Sequence, residues 1–175
     1  MTEVHLGLGS NLGDRRANLA AALRLLSRML RIEAVSSLYE TEPVGGPPQA
    51  PFYNAVVRAE CGLAPLALLR FVKNVETELG RRPYGQRWGP RPIDIDLLLH
   101  GDTVLQTPEL ELPHPRLAER AFVLAPLAEL APDLAHPVLG KTVGELLKAV
   151  DASGVRVIEG AGWEGQLRRE ASFPL

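Results

Sequence analysis

Residues 87–98 read RWGPRPIDIDLL, and the part of that stretch from Ile93 onward decides the fold. From Ile93 to Leu99 the odd and even positions differ sharply, the two-residue period of a half-buried β-strand. In such a strand Asp94 and Asp96 project from one face, roughly 6.5 to 7 Å apart, while Ile95 and Leu97 point to the other. The apolar side belongs to a core, and the two acids look into a cleft.

Working outward, residues 81–92 are too rich in proline and glycine for regular structure. Before them, Pro65 to Leu79 has the proline start and apolar period of a helix that stops at Gly80. Tyr53 to Cys61 and Ile32 to Tyr39 are strand-like, and the Pro/Gly-rich segment Glu42 to Pro51 between them is a stiff, irregular loop. Glu3 to Leu8 reads as a first strand running into a glycine turn. A helix from Asp14 to Leu30 follows, capped by Asn11 or Asp14, with Leu19, Leu23, Leu26 and Leu30 on one face. Downstream, Leu117 to Leu130 and Val143 to Val150 are predicted helices and Val155 to Ile158 a late strand, while little is legible from Glu159 on. The order β-α-β, β-α-β predicts an α+β, ferredoxin-like core: a mixed or antiparallel sheet with helices packed against it. At 175 residues, the expectation is a single domain spanning 1–175.

Composition narrows the function. A formal net charge of -2 argues against a general nucleic-acid binder, so any anion binding is local. Cys61 is the single cysteine, which rules out an internal disulfide or cysteine metal cluster and fits the reducing cytoplasm. No stretch is apolar enough to span a bilayer, and Met1 to Ser10 carries no secretory signal.

Paired carboxylates with substrate phosphates are the usual shell of magnesium. Immediately upstream, Arg81, Arg82, Arg87 and Arg91 crowd the loop that holds Trp88. Four guanidinium groups without nearby acids repel one another unless a polyanion sits among them, and arginine matches phosphate oxygens with a planar fork of donors. His114, Arg116 and Arg120 offer a second basic group. Taken singly, the acids read as a solvated strand face and the arginines as a solvated loop; joined, they read as a nucleoside triphosphate site. Those residues alone also fit a phosphatase, a nucleotidyltransferase or a non-catalytic binding module. Two glycine motifs are decoys. Ala135 to Thr142, AHPVLGKT, approximates a phosphate loop, but it follows a helical stretch and Pro137 removes a backbone donor. Gly7, Gly9 and Gly13 have dinucleotide-fingerprint spacing with the third glycine one position late, which a tight strand-to-helix turn explains.

From the first strand to about Pro132 the chain resembles the 6-hydroxymethyl-7,8-dihydropterin pyrophosphokinases of folate biosynthesis. The resemblance rests on GSNLGDR (Gly9 to Arg15), Y-x-T-x-P (Tyr39 to Pro43), F-Y-N-A (Phe52 to Ala55), RWGPRPIDIDLL (Arg87 to Leu98), L-P-H-P-R, and R-A-F-V-L-x-P-L. It implies transfer of diphosphate from ATP to a reduced pterin, with AMP as the second product. By motif, Asp94 and Asp96 would hold two magnesium ions, and Arg81 and Arg91 would act with them in catalysis. Glu76, Arg87, Trp88, His114 and Arg120 would bind the nucleotide. Phe52 and Phe122 would sandwich the pterin, Asn54 would read its amide edge, and Thr41, Pro43 and Val44 would line it. The resemblance implies no nucleic-acid or membrane partner, and a cytoplasmic monomer is expected. The chain departs from the pattern at Lys73, Pro83, Glu109 and Pro115. Both irregular segments, Glu42 to Pro51 and Arg81 to Pro92, are expected to act as lids.

Overall fold

The structure, a computed structural model, describes residues 1–43, 48–80 and 90–165. Strand β1 (Thr2–Ser10) leads into helix α1 (Arg15–Leu26), and strands β2 (Leu30–Val35), β3 (Leu38–Thr41) and β4 (Phe52–Cys61) follow. Helix α2 (Pro65–Glu78) then returns the chain to β5 (Asp94–His100), after which β6 (Leu105–Gln106) and β7 (Glu111–Leu112) form a small separate hairpin. A 3-10 turn at Leu117–Glu119 leads into α3 (Ala121–Leu130), then α4 (Val143–Lys148) and β8 (Val155–Glu159).

The main sheet runs β5-β1-β4-β3-β8, with β2 also laid against β4. All of its pairings are antiparallel, which resolves the expectation of a mixed or antiparallel sheet. The stretch expected as one strand from Ile32 to Tyr39 is broken at Ser36 and Ser37. There the Ser36 hydroxyl accepts the Val56 amide at 2.9 Å and itself donates to the Ser37 carbonyl at 2.8 Å. A serine side chain competing for the ladder in this way bends the strand.

Asp14, rather than Asn11, caps α1, its carboxylate accepting from the Ala17 amide at 3.1 Å. The helix ends short of Leu30, which already belongs to β2. The phosphate-loop look-alike is a turn whose Thr142 caps α4 in a reciprocal pair with Glu145.

Apolar residues cover both sheet faces. On one, Leu6 and Leu8 pack with Leu19 and Leu23 of α1 and Leu68 and Val72 of α2. On the other, Val56 and Leu98 pack with Leu124 and Leu127 of α3 and Leu146 of α4. Each fully buried leucine contributes on the order of 1.5–3 kcal/mol, so the two layers hold the sheet from both sides. Trp163 is also buried in the first core, its indole N–H donating to the Ser36 carbonyl at 2.9 Å. The late chain, silent in the sequence, therefore pins the β2–β3 bend. Among the described residues no helix is long and apolar enough to cross a membrane.

Candidate active site

The acids sit as the two-residue period requires: Asp94 and Asp96 are part-exposed, and Ile95 and Leu97 between and after them are buried. The register then decides what lies beside them. Gly9 stands opposite Asp94 on one side and Asn54 on the other, and Gly7 stands opposite Asp96. Residues directly opposite share a face, so the two glycines leave a trough in the sheet between the carboxylates and Asn54. A Cβ at Gly9 would lie 3.2 Å from Asn54 Nδ2 and 3.5 Å from Phe52 Cδ1. Gly7 and Gly9 are thus strand residues that make room, and the tight turn expected of the glycine series falls to Gly13, with φ +72.

Above the trough opens a cavity of about 720 Å³. It brings together Thr41, Pro43, Phe52 and Asn54 with Arg91, Asp94, Asp96, Arg120 and Phe122, all expected from the sequence. At one end the Thr41 hydroxyl donates to Asn54 Oδ1, which fixes the carboxamide and leaves its nitrogen over Gly9. At the other end Arg91 Nη1 lies 3.4 Å from Asp94 Oδ1, and Arg120 Nη1 lies 3.7 Å from Asp96 Oδ2. Arg120 also lies over the Phe122 ring, 5.5 Å from its centroid.

A second cavity of about 290 Å³ shares Asp96 with the first. Its walls include Leu69, Lys73, Leu97, Glu109 and His114. Burial is the main cause that lowers the His114 pKa to about 4, with Arg120 and Arg116 adding to it and Asp94 opposing. At neutral pH His114 is therefore uncharged, and its Nδ1 accepts the Arg116 amide at 3.1 Å. Glu76, expected beside the nucleotide, is buried in α2, where its carboxylate accepts the Ile95 amide at 2.8 Å. Its observed contact thus supports β5 from behind. Val44, Arg81, Arg87 and Trp88 lie outside the described residues, as do residues 44–47 of the first expected lid and 81–89 of the second.

One residue the sequence offered only as a helix cap has a larger part. Buried Asn11 donates to Gln49 Oε1 at 2.6 Å and to the Ala50 carbonyl at 3.2 Å, while its own Oδ1 accepts the Arg91 amide at 2.7 Å. It ties the ends of the two Pro/Gly-rich segments together. Asp151, Gly154 and Val155 also line the large cavity and were not assigned to the site from the sequence. Only their place beside β3, where Val155 pairs with Thr41, brings them there.

Among the described residues no cluster of three or more acidic, histidine or cysteine side chains could hold a metal. Two part-exposed carboxylates on one face are instead a partial shell of hard oxygens. That donor set fits magnesium, which keeps water and phosphate oxygens as its other ligands.

Residues 5–132 match the family described as 7,8-dihydro-6-hydroxymethylpterin-pyrophosphokinase. The 2-amino-4-hydroxy-6-hydroxymethyldihydropteridine pyrophosphokinase of Pseudomonas aeruginosa is 44% identical over 160 residues, covering 90% of this chain and 98% of that one. The enzyme of the same name from Aquifex aeolicus is 43% identical over 145 residues, covering 83% of this chain and 90% of that one. In fold, the chain is similar to the HPPK-DHPS protein of Plasmodium falciparum solved with pteroate. The TM-score is 0.69 at 17% identity, over 85% of this chain and 44% of that longer one. Sequence, sheet and cavity agree, and the chain belongs to the 7,8-dihydro-6-hydroxymethylpterin-pyrophosphokinase family.

Proposed function

We infer that this chain transfers diphosphate from ATP to the hydroxymethyl group of 6-hydroxymethyl-7,8-dihydropterin, giving AMP and the pterin diphosphate in folate biosynthesis. The observation that carries this reading is the single cavity with an acid-and-arginine end and an aromatic, amide-bearing end. In the reaction the pterin hydroxyl oxygen bonds to the β-phosphorus of ATP. The bond from that phosphorus to the oxygen of the departing AMP breaks, and the hydroxyl proton is lost.

The division of labour follows the geometry. Phe52 and Phe122 flank the space over the trough, where a flat ring would stack between them. Asn54, held by Thr41, presents its amide to the ring edge, and Pro43 closes the same end. Asp94 and Asp96 would hold magnesium, two ions in our reading, which when bound neutralises phosphate charge. Arg91 and Arg120 already lie beside those acids and can turn to phosphate oxygens as a triphosphate enters. The smaller cavity, joined to the phosphate end through Asp96, suits the base and ribose, with neutral His114 as a hydrogen-bonding wall. Arg81, Arg87, Trp88 and Val44 keep the roles that the motif resemblance implies. The chain works as one domain, a cytoplasmic monomer acting on two small molecules.

Incubation with ATP, magnesium and hydroxymethyldihydropterin, read by mass spectrometry, tests the reading. AMP and a pterin diphosphate in equal amounts are expected. ADP with a pterin monophosphate, or phosphate release without pterin modification, would sink it.

A further inference from the structure

Tyr39 opens the Y-x-T-x-P stretch, yet its hydroxyl turns away from the cavity. It donates to Glu129 Oε1 of α3 at 2.7 Å. The same carboxylate accepts the Ser37 amide at 2.9 and 3.1 Å and the Ser37 hydroxyl at 3.0 Å. One acid on α3 therefore takes three donors from the start of β3. Burial, reinforced by Glu129, raises the Tyr39 pKa, so the phenol remains a donor at neutral pH.

Both elements gripped by this carboxylate carry cavity walls. On β3, Thr41 lies two residues beyond Tyr39, hence on the same face, and holds Asn54. On α3, Phe122 lies seven residues before Glu129, two turns along the same helix stripe. We propose that Glu129 is a positioning residue for pterin binding, setting the gap between the sheet floor at Thr41 and Asn54 and the Phe122 ring. This rests on the reading of the large cavity as the pterin site. The gap matters because dispersion contact is short-ranged: a radial opening of about 0.5–1 Å already forfeits a quarter to a half of the attraction. The floor at Thr41 hangs on β3, which β1 and β4 separate from the acids on β5, so a loosened clamp acts first on the pterin.

Glu129→Gln keeps the shape but puts an amide donor against the Ser37 donors, and Tyr39→Phe is the milder probe that deletes one bond. Tyr39→Phe is expected to raise KM for hydroxymethyldihydropterin about tenfold, the scale of one lost charge-assisted hydrogen bond, and Glu129→Gln by more. The kcat at saturating pterin and KM for ATP should stay within about twofold of the parent. A pterin KM unchanged in both variants, or equal weakening of both substrates, would overturn the proposal. Hydrogen exchange in the ligand-free protein supplies a readout independent of the substrate assignment. Amides of residues 39–41 and 121–124 should exchange faster together in Glu129→Gln, and unchanged exchange at both would equally overturn the clamp. A parent protein that binds no pterin would instead count against the reading of the cavity.

Discussion

The two ends of the large cavity are built on different principles. At the pterin end the polar groups are buried and already paired: Thr41 and Asn54 are 6% and 7% exposed and bonded to each other, over a glycine that leaves no slack. At the phosphate end Asp94, Asp96, Arg91 and Arg120 keep roughly a quarter to a third of their side chains exposed, in ion pairs of 3.4 and 3.7 Å. In the proposed function, one end is a fixed mould for a flat, neutral, hydrogen-bonding ring. The other is a loose balance of charge that a metal-bound triphosphate can rearrange at little cost, since exposed pairs at such distances are worth at most about 1 kcal/mol. The difference teaches that, on the proposed assignment, rigidity serves recognition and lability serves catalysis.

The largest effect expected from breaking that contrast is at the acids. Asp94→Ala or Asp96→Ala should lower kcat on the order of a thousandfold, as expected for loss of a charge-stabilising group, without lowering Tm in proportion. A part-exposed carboxylate beside its neighbour leaves no core cavity when removed. Near-parental turnover with magnesium would remove that residue from the metal site.

Next comes the glycine floor. Gly9→Val should weaken pterin binding about tenfold or more, because its side chain must displace Asn54 or Phe52 from contacts of 3.2 and 3.5 Å. Calorimetry showing parental pterin affinity would mean that the mould is softer than described.

Salt should sharpen the comparison with a smaller change. Raising ionic strength from about 0.05 to 0.5 M should weaken ATP binding several-fold while leaving pterin binding within about twofold, since screening acts on the exposed charges. Parallel losses for both ligands would erase the distinction.

A final, modest effect concerns pH. Burial, and secondarily Arg58, lowers the His5 pKa to about 4, and His114 is lowered to about 4 as well. Both therefore bind fewer protons folded than unfolded between about pH 6.5 and 4. Stability should fall as pH drops through that window, by at most about 1.4 kcal/mol per pH unit for each group. His5 Nε2 is buried without a hydrogen-bond partner, so His5→Leu should flatten the slope in thermal melts. An unchanged slope would assign it to other groups.

Much of this was legible because it is local. The period of two in IDIDLLL placed both acids on one face, and the helices α1 and α2 announced themselves through leucine spacing and Pro65. The motif resemblance placed Asn54, Phe52 and Phe122 at one cavity. What failed to show was set by register and long-range contact. Gly9 reads as a turn residue until pairing puts it between Asp94 and Asn54. Ser36 and Ser37 break a strand only because Val56, Glu129 and Trp163 supply their partners. Asn11 looks like a cap until residues 38 and 80 positions away bond to it. The motif resemblance places Glu76 at the nucleotide, and only the structure shows it buried with its carboxylate on the Ile95 amide.

The claim that the ends serve different substrates is tested most directly by calorimetry of pterin and of a non-hydrolysable magnesium-ATP analogue on Asn54→Ala and Asp96→Ala. The account predicts a crossed result. Asn54→Ala should lose about 1 to 3 kcal/mol of pterin affinity with the nucleotide nearly unaffected, and Asp96→Ala should weaken the nucleotide while sparing the pterin. Equal weakening of both ligands by both substitutions would contradict it.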